Sequence, residues 1–223
     1  MTTATDGNGS ARGMPQDRRR AVLEIAARVM CEKGYEGASI QDIADAAGLT
    51  KAGLYHHIRS KEHLLHEIHN YGMDLFEERV LDPVLKITDP VERLRECMRR
   101  NIRLLTEEGS KEITVILHED ASLRGEARVR INARKKRYLR FLESTIAEVM
   151  ETGRLRRANP KVAAFAFLGM ILWVYKWWKP SGPLAADRLS EEMERFFFGD
   201  DTEPVGASRP ARISHSSSGG GLR

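Results

Sequence analysis

Residues 39–61 read SIQDIADAAGLTKAGLYHHIRSK and contain two short helical patterns that meet at a single glycine. Apolar residues recur at spacings of three and four from Ile40 to Ala47, which predicts a helix with one apolar face. Gly48 can adopt the positive φ that ends this helix, and Thr50 can cap the next one. Two short helices joined by so tight a turn are typical of a helix-turn-helix, which places its second helix in the major groove of DNA.

The second of these helices carries side chains that suit contact with DNA. Lys51 places a cation at the end of the helix where backbone N–H groups are free. Ala52 and Gly53 have almost no side chain, so the backbone can approach a base edge or a phosphate closely. Leu54 and Ile58 lie four apart and are expected to pack against the core, which turns the remaining polar side chains outward.

The run LTKAGLYHHIRSKEHLL resembles the recognition helix and the following turn of the TetR family of regulators. Upstream, RRRAVLEIAARVMCEKGYEGASI is similar to that family's first helix, so the denser match covers about residues 17–66. The resemblance implies an all-α fold with an N-terminal three-helix helix-turn-helix DNA-binding domain and a C-terminal helical ligand-binding and dimerisation domain. Ile58 stands where the family usually has phenylalanine, a change that affects packing. The family's DNA contacts carry over onto Ser39, Gln41, Thr50, Lys51, Ala52, Gly53, Tyr55, His56 and Lys61.

Four segments are predicted along the chain. Residues 1–16 and 200–223 are rich in Gly, Ser, Pro and Asp, a composition typical of disordered tails. Residues 17–62 are assigned to the helix-turn-helix domain, and residues 63–199 to the ligand-binding and dimerisation domain. Apart from the pair already described, helices are predicted at about 17–33, 61–80, 90–107, 110–119, 122–152, 160–178 and 184–198.

Composition indicates a cytoplasmic protein without a membrane anchor. The chain has 223 residues, 41% of them hydrophobic, and a net charge of +4, which suits nucleic acid without requiring it. Its two cysteines, Cys31 and Cys97, form no CxxC motif, which fits a reducing compartment. The longest apolar run, 162–175, is shorter than the roughly 20 residues that cross a bilayer. The basic run Arg18–Arg20 is either an arm beside DNA or a solvated helix start.

The sequence contains no catalytic signature: no GxSxG, no phosphate-binding loop and no GxGxxG. His63, His66 and His69 are spaced by three, but that spacing drifts around a helix and no carboxylate completes a metal site. A solvated histidine face is the prediction. We therefore expect no metal, no cofactor and no enzymatic activity.

The segment FAFLGMILWVYKWW (165–178) is hydrophobic nearly all round its helix, and FFF follows at 196–198. Part of such a helix is expected to face the core and part to face another surface. In the TetR family the last two helices pair with their copies across a two-fold axis. The resemblance therefore implies a homodimer that reads a palindromic operator in double-stranded DNA, with recognition helices roughly 34 Å apart.

The stretches ITVILHED, RKKRYLRFLESTIAEVMETGRLR and WWKPSGPL resemble, more loosely, a branch of the family that senses acyl-CoA thioesters. That resemblance implies an apolar pocket for an acyl chain and cations for the CoA phosphates. A solvated basic helix face and ordinary core aromatics remain open as alternatives. The candidate effector residues are Arg137, Arg140, Leu168, Leu172, Trp173, Lys176 and Trp177.

The function expected from these features is a ligand-responsive transcriptional regulator, a repressor released by a small hydrophobic effector, with an acyl-CoA thioester as one candidate. A second hypothesis is a repressor of an efflux or other gene that responds to drug-like hydrophobic molecules. A third, from a different class, is a nonspecific nucleoid-type DNA binder. The strong positive charge typical of that class is absent, which favours the regulator.

Overall fold

A computed structural model of the protein describes residues 16–56, 58–106, 111–119 and 122–199. Within these ranges the chain is helical and contains no β-strand, which confirms the all-α fold class. The two predicted tails lie outside the described residues, except that Gln16 begins the first helix. A search of the described helices finds none that is both long and apolar enough to cross a bilayer.

Eleven α-helices are present in the described ranges. They are α1 (Gln16–Gly37), α2 (Ile40–Ala46), α3 (Lys51–Tyr55), α4 (Lys61–Phe76), α5 (Asp82–Val84), α6 (Pro90–Thr106), α7 (Lys111–His118), α8 (Gly125–Glu151), α9 (Pro160–Leu172), α10 (Val174–Trp177) and α11 (Ala186–Phe198).

The first three helices pack around a small apolar core. Ala26 of α1, Ile43 of α2 and Leu54 of α3 are each fully buried. The predicted first helix ends later than expected, because α1 continues past a kink at Gly34, where φ is 71°. Glycine adopts this conformation without the steric cost that a Cβ would add. The kink turns the last residues of α1 towards α2.

The helix predicted over 61–80 changes character near its end. After α4, residues Glu77–Leu81 form a turn of π-helix, and α5 follows. Pro83 has no N–H, so it cannot donate the regular helical hydrogen bond to the carbonyl oxygen of Arg79. Instead, Nη1 of Arg100 on α6 donates to that oxygen at 3.1 Å. The π-turn is thus joined to α6 by a side chain that the sequence pattern did not identify.

Local signals set the ends of the later helices. Oδ1 of Asp89 accepts a hydrogen bond of 2.7 Å from the backbone N–H of Glu92, and Asn159 caps α9 in the same manner. Gly153, with φ of 78°, follows the end of α8. The helix predicted over 160–178 breaks at Trp173, so α9 and α10 replace one continuous helix.

The apolar segment from α9 to α10 faces two environments, as predicted. Phe167 and Ile171 are fully buried against the core, whereas 53% of Phe165 and 61% of Trp173 are exposed. On α11 the same division recurs, with Phe198 buried and 84% of Phe196 exposed. One face of each of these helices is therefore left uncovered in a single copy of the chain.

Candidate nucleic-acid interface

Helix α2 is fixed at its start by a capping box. Oγ of Ser39 accepts a hydrogen bond of 3.0 Å from the backbone N–H of Asp42, and the Asp42 carboxylate accepts one of 2.8 Å from the backbone N–H of Ser39. Nζ of Lys33 lies 2.6 Å from the same carboxylate. The pKa of Asp42 is lowered by this lysine first and by Ser39 second. Ser39 is exposed but already committed, as is Gln41, which donates to Asp45 at 2.7 Å.

The turn and the start of α3 follow the sequence prediction closely. Gly48 has φ of 63°, the positive value expected for the turn. Oγ1 of Thr50 accepts a hydrogen bond of 2.9 Å from the backbone N–H of Gly53, so threonine caps α3. Leu54 is fully buried and Ile58 is 5% exposed. These contacts hold α3 against the core with its other face outward.

The outward face of α3 consists of the residues that the sequence nominated. Lys51, Ala52 and His56 are exposed, and 46% of Tyr55 is exposed. A Cβ added at Gly53 would lie 3.1 Å from Oγ1 of Thr50, so a larger residue would crowd the cap. The face offers a cation, two hydrogen-bonding rings and a smooth backbone, which suits both phosphates and base edges.

Lys61, which the resemblance nominates for a phosphate, is engaged within the protein. Its Nζ lies 4.5 Å from the ring centroid of Tyr35 and donates to the carbonyl oxygen of Glu36 at 3.2 Å. The N-cap of α4 is Ser60, whose Oγ accepts from the backbone N–H of His63 at 3.0 Å. Lys61 therefore joins the start of α4 to the end of α1, in addition to any contact with DNA.

Arg59 is a basic residue that the sequence reasoning missed. It lies in the turn between α3 and α4, is exposed, and its guanidinium forms no hydrogen bond or ion pair with other described residues. Its position one residue before the Ser60 cap was the available signal, because this turn follows the recognition helix directly. Arg59 is free to meet a phosphate without breaking an internal contact.

The basic run at the start of α1 is partly used for internal contacts. The guanidinium of Arg19 pairs with the carboxylate of Glu67 on α4. Nε of Arg20 lies 3.0 Å from Glu24, and its guanidinium lies over the ring of Tyr71 at 5.4 Å. These two cations thus bind α1 to itself and to α4, which favours a structural role for them over a free basic arm.

The predicted effector cations are placed on the surface. Nη2 of Arg137 lies 2.8 Å from Glu77, Arg140 is exposed, and Nζ of Lys176 lies 5.3 Å from the ring centroid of Tyr175. Arg137 is already neutralised by a carboxylate, whereas Arg140 and Lys176 remain accessible.

The predicted apolar effector residues all lie on α9, on α10 and at the junction between these helices. Leu168 and Leu172 are partly buried, while 61% of Trp173 and 48% of Trp177 are exposed. Two cavities flank α6, one beside the π-turn and one beside α11, and neither is lined by any of the seven predicted effector residues. Their assignment to an effector stays a prediction.

The prediction of a solvated histidine face was wrong for one residue. His69 is fully buried, and its Nδ1 lies 2.9 Å from the carbonyl oxygen of Leu65. His63 and His66 are partly buried on the same helix. Spacing alone placed the three residues together, but the helices that pack against α4 decide which of them meets solvent. Across the described ranges no group of His, Cys, Asp and Glu has metal-site geometry.

The interior of the second domain contains a small polar cluster between α6 and α8. The hydroxyl of Tyr138 lies 3.1 Å from Sγ of Cys97 and accepts a hydrogen bond of 2.9 Å from Nδ2 of Asn101. All three residues are buried, and burial raises the pKa of both Tyr138 and Cys97. Nearby, Nε and Nη2 of Arg134 donate hydrogen bonds of 3.0 and 2.8 Å to the two carboxylate oxygens of Glu77. This bidentate pair connects α8 to the π-turn.

Comparison with protein families assigns both halves of the chain. Residues 22–68 match the model described as bacterial regulatory proteins, tetR family. Residues 88–199 match the model of the tetracyclin repressor-like C-terminal domain. The chain belongs to the TetR family. It is accordingly a helix-turn-helix transcriptional regulator.

Three relatives illustrate the likeness of this TetR protein to known regulators. It is 55% identical to AibR, solved in complex with isovaleryl coenzyme A and operator DNA; the match covers 81% of this chain and 98% of AibR, with a TM-score of 0.78. It is 33% identical to PfmR of Thermus thermophilus over 79% and 96% of the two chains, with a TM-score of 0.72. It is 27% identical over 195 residues to the repressor KstR2 of Mycobacterium tuberculosis, covering 86% of this chain and 96% of KstR2.

Proposed function

We propose that this protein is a homodimeric repressor that binds a palindromic operator and releases it when a short acyl-CoA thioester binds. The observation that carries the proposal is its likeness to AibR, solved with both isovaleryl coenzyme A and operator DNA, across nearly the whole of that chain. The exposed face of α3, held by a capped turn on a buried apolar pair, supports the DNA-binding half of the proposal.

Nine residues are proposed to contact the operator, and Arg59 is added to them. Lys51, Tyr55, His56 and Lys61 serve phosphates, which fix the register of the protein on the duplex. Ala52 and Gly53 allow α3 to enter the groove. Ser39, Gln41 and Thr50 meet the backbone near helix starts, in addition to their capping and intrahelical hydrogen bonds.

Dimerisation is supported by an exposed apolar stripe, which we define as Val162, Phe165, Trp173 and Trp177. These four side chains are 65%, 53%, 61% and 48% exposed, respectively, so each leaves about half or more of its surface uncovered in one copy. Their spacing places them along one side of α9 and α10. A continuous apolar surface of this kind marks an interaction site. Phe196 adds exposed aromatic area on α11.

The effector is proposed to lie beside the same helices. Trp173 and Trp177 belong to the exposed apolar stripe, so a second copy that covers the stripe would also enclose them. Leu168 and Leu172 then offer apolar surface to an acyl chain, and Arg140, Arg137 and Lys176 are proposed as cations near the anionic CoA moiety, in addition to those at its nucleotide phosphates. Enclosure by two copies would give these residues the buried environment that one copy lacks.

The mechanism proposed is release of DNA through a change in spacing. Two recognition helices bind a palindrome only when they lie about one helical turn of DNA apart. The effector must bind better to a spacing that does not fit the operator; a hundredfold preference corresponds to a coupling of roughly 3 kcal/mol. Helix α4 is the path for this change, since it connects the helix-turn-helix to the π-turn that α6 and α8 hold.

The test begins with selection of operator sequences from random duplexes by the full chain. The selected duplex is then titrated with protein in the presence of isovaleryl-CoA, free isovalerate, CoA and a drug-like hydrophobic cation. Selection of a palindrome, and release by isovaleryl-CoA but not by isovalerate or CoA, is the expected result. Equal affinity for all duplexes would establish a nonspecific binder, and release by the drug-like compound alone would establish the efflux-type regulator.

A further inference from the structure

A cavity of about 390 Å³ lies between the π-turn and α6. It is lined by Glu78, Arg79, Arg100, Arg103 and Leu104. Its size falls within the range of small-molecule sites, about 300–1,000 Å³. Three arginines and one glutamate give its wall an excess of positive charge, so the cavity suits an anion.

The arginines that line this cavity differ in how many hydrogen bonds and ion pairs they already form within the protein. Nη1 of Arg100 donates to the carbonyl oxygen of Arg79, and its Nε lies 2.7 Å from Glu96. Arg103 is exposed, and no described residue forms an ion pair or hydrogen bond with its guanidinium. The planar guanidinium of Arg103 can therefore bind a phosphate without losing a contact within the protein.

The two arginines of α8 that contact the π-turn do not have this freedom. Arg134 forks onto Glu77 and also reaches Asp74 at 2.7 Å, while Arg137 shares the same glutamate. An anion at Arg134 or Arg137 would have to displace these carboxylates, which costs the ion pairs already formed. Free cationic hydrogen-bond donors beside a cavity are found instead on α6.

A second, smaller cavity of about 190 Å³, also lined by Arg103, lies between α6 and α11. There Arg99 and Arg103 are outnumbered by Asp187, Glu191 and Glu194, and Arg99 is bound to Glu194 at 2.7 Å. An anion is repelled from that side. The charge around Arg103 thus directs an anionic ligand to the cavity at the π-turn.

We propose that the cavity between the π-turn and α6 binds the nucleotide phosphates of a CoA thioester, with Arg103 as the principal donor and Arg100 as the second. This inference rests on the proposed function, because it assumes an acyl-CoA effector. The site also has a route to DNA binding: Arg100 holds the carbonyl that Pro83 leaves without a helical partner, so a phosphate that attracts Arg100 loosens the end of the α4 segment.

The test compares Arg103→Gln with Arg128→Gln, a matched loss of one exposed arginine on α8. Each variant and the wild type are titrated by calorimetry with isovaleryl-CoA, with isovaleryl-pantetheine, which lacks the nucleotide, and with adenosine 3′,5′-bisphosphate. We expect Arg103→Gln to weaken isovaleryl-CoA and the bisphosphate by about tenfold or more and to leave isovaleryl-pantetheine unchanged, since a hydrogen bond to a charged group contributes about a decade of affinity.

The outcomes separate the two proposals. Unchanged binding of isovaleryl-CoA by Arg103→Gln, or an equal loss in Arg128→Gln, would overturn the phosphate site while the effector class stands. Binding of the bisphosphate that depends on Arg103, without any binding of the thioesters, would support the anion site and refute the acyl-CoA function. If the wild type binds none of the three ligands, both proposals are wrong. Equal melting temperatures of the three proteins verify that each variant is folded.

Discussion

Nζ of Lys61 lies 4.5 Å from the ring centroid of Tyr35, so the first residue of α4 is bound to the last turn of α1. Family resemblance assigns Lys61 to a DNA phosphate, and the structure shows that the same side chain also holds the helix-turn-helix together. A lysine over an aromatic ring at an exposed site contributes roughly 0.5–1 kcal/mol. Two effects of Lys61 must therefore be separated by experiment.

We expect Lys61→Ala to lower both stability and operator affinity. Loss of the contact with Tyr35 should lower the melting temperature by about 1–4 °C for a chain of this size. Loss of one phosphate contact should reduce the slope of log affinity against log salt by about 0.9. Calorimetry and operator titrations at several salt concentrations measure the two effects. An unchanged salt slope would show that Lys61 serves only the protein.

Arg59→Ala should lower operator affinity without lowering the stability of the protein. Its guanidinium has no partner among the described residues, so removing it costs the fold little, within about 0.5 kcal/mol. Operator affinity should fall alike for good and poor operators, with a salt slope reduced by about 0.9, because phosphate contacts carry no sequence information. Operator affinity equal to that of the wild type at every salt concentration would remove Arg59 from the interface.

Glu112 should make folding stability depend on pH. It lies on α7, which packs against α1 and α4, and it is only 1% exposed. No described side chain donates a hydrogen bond to its carboxylate. Burial first, and Glu24 next among the charges, raise its pKa to about 7, while Arg20 and Arg79 oppose the shift. The folded state holds the proton more tightly than the unfolded state, so stability is fully present below about pH 4.5 and is lost as pH rises through 7.

The variant Glu112→Gln should abolish this pH dependence. The raised pKa corresponds to a loss of at most about 3 kcal/mol between these pH values. Urea unfolding at pH 5 and pH 8 should therefore show the variant close to the wild type at pH 5 and more stable at pH 8. Glu151→Gln, at an exposed position, controls for the loss of one carboxylate. A difference between variant and wild type that stays constant with pH would contradict the assignment.

Gly72 allows α7 to approach the backbone of α4, and a methyl group there should separate them. A Cβ at this position would lie 2.5 Å from Cδ1 of Ile116 and 3.3 Å from the backbone carbonyl carbon of Glu112. We expect Gly72→Ala to destabilise the protein by about 1–3 kcal/mol through overpacking, despite the better helix propensity of alanine.

A double-mutant cycle in urea tests the cause of that loss. Ile116→Val removes the Cδ1 atom and alone costs about 0.5–1.5 kcal/mol. If the clash with Ile116 is the main cost of Gly72→Ala, the double variant should be more stable than the sum of the single effects predicts. Strict additivity would show that the backbone of Glu112, which cannot yield, sets the cost instead.

Gly169→Glu should break the dimer without harming the fold of one copy. Gly169 is exposed between Phe165 and Trp173, and a Cβ there would meet no atom of the protomer within 4 Å. Replacing glycine inside α9 improves helix propensity by roughly 0.5 kcal/mol or more, whereas a buried carboxylate opposes association. Sedimentation should give a helical monomer that has lost operator binding.

A matched substitution on a different exposed apolar residue controls for charge. Leu85, which is 57% exposed at the end of α5, lies outside the exposed apolar stripe, so Leu85→Glu should leave the dimer and the operator affinity unchanged. A dimer that persists in Gly169→Glu with full operator affinity would place the interface elsewhere. A monomer in both variants would show that added charge, rather than position, prevents association.

The sequence by itself was sufficient for the helix-turn-helix. Ser39, Gly48 and Thr50 act on groups within three residues of themselves, through a cap, a positive φ and a second cap. Such signals depend on local covalent geometry, so they can be recognised in the sequence without knowledge of the fold. The burial of Leu54 and Ile58 could also be predicted from the sequence, because their spacing places both residues on one face of a helix.

Tertiary structure alone decided how charged and polar groups are used. The sequence did not reveal that Arg137 pairs with Glu77, 60 residues earlier, or that Lys61 contacts the end of α1. Both residues were instead predicted to bind ligands outside the protein. His69 became buried because other helices, α1, α7 and α8, pack against α4. Periodicity gives the face of a helix on which a residue lies, but it does not give the neighbour that covers that face. Pairing between distant segments depends on packing, and packing determines which cations remain free for DNA or an effector.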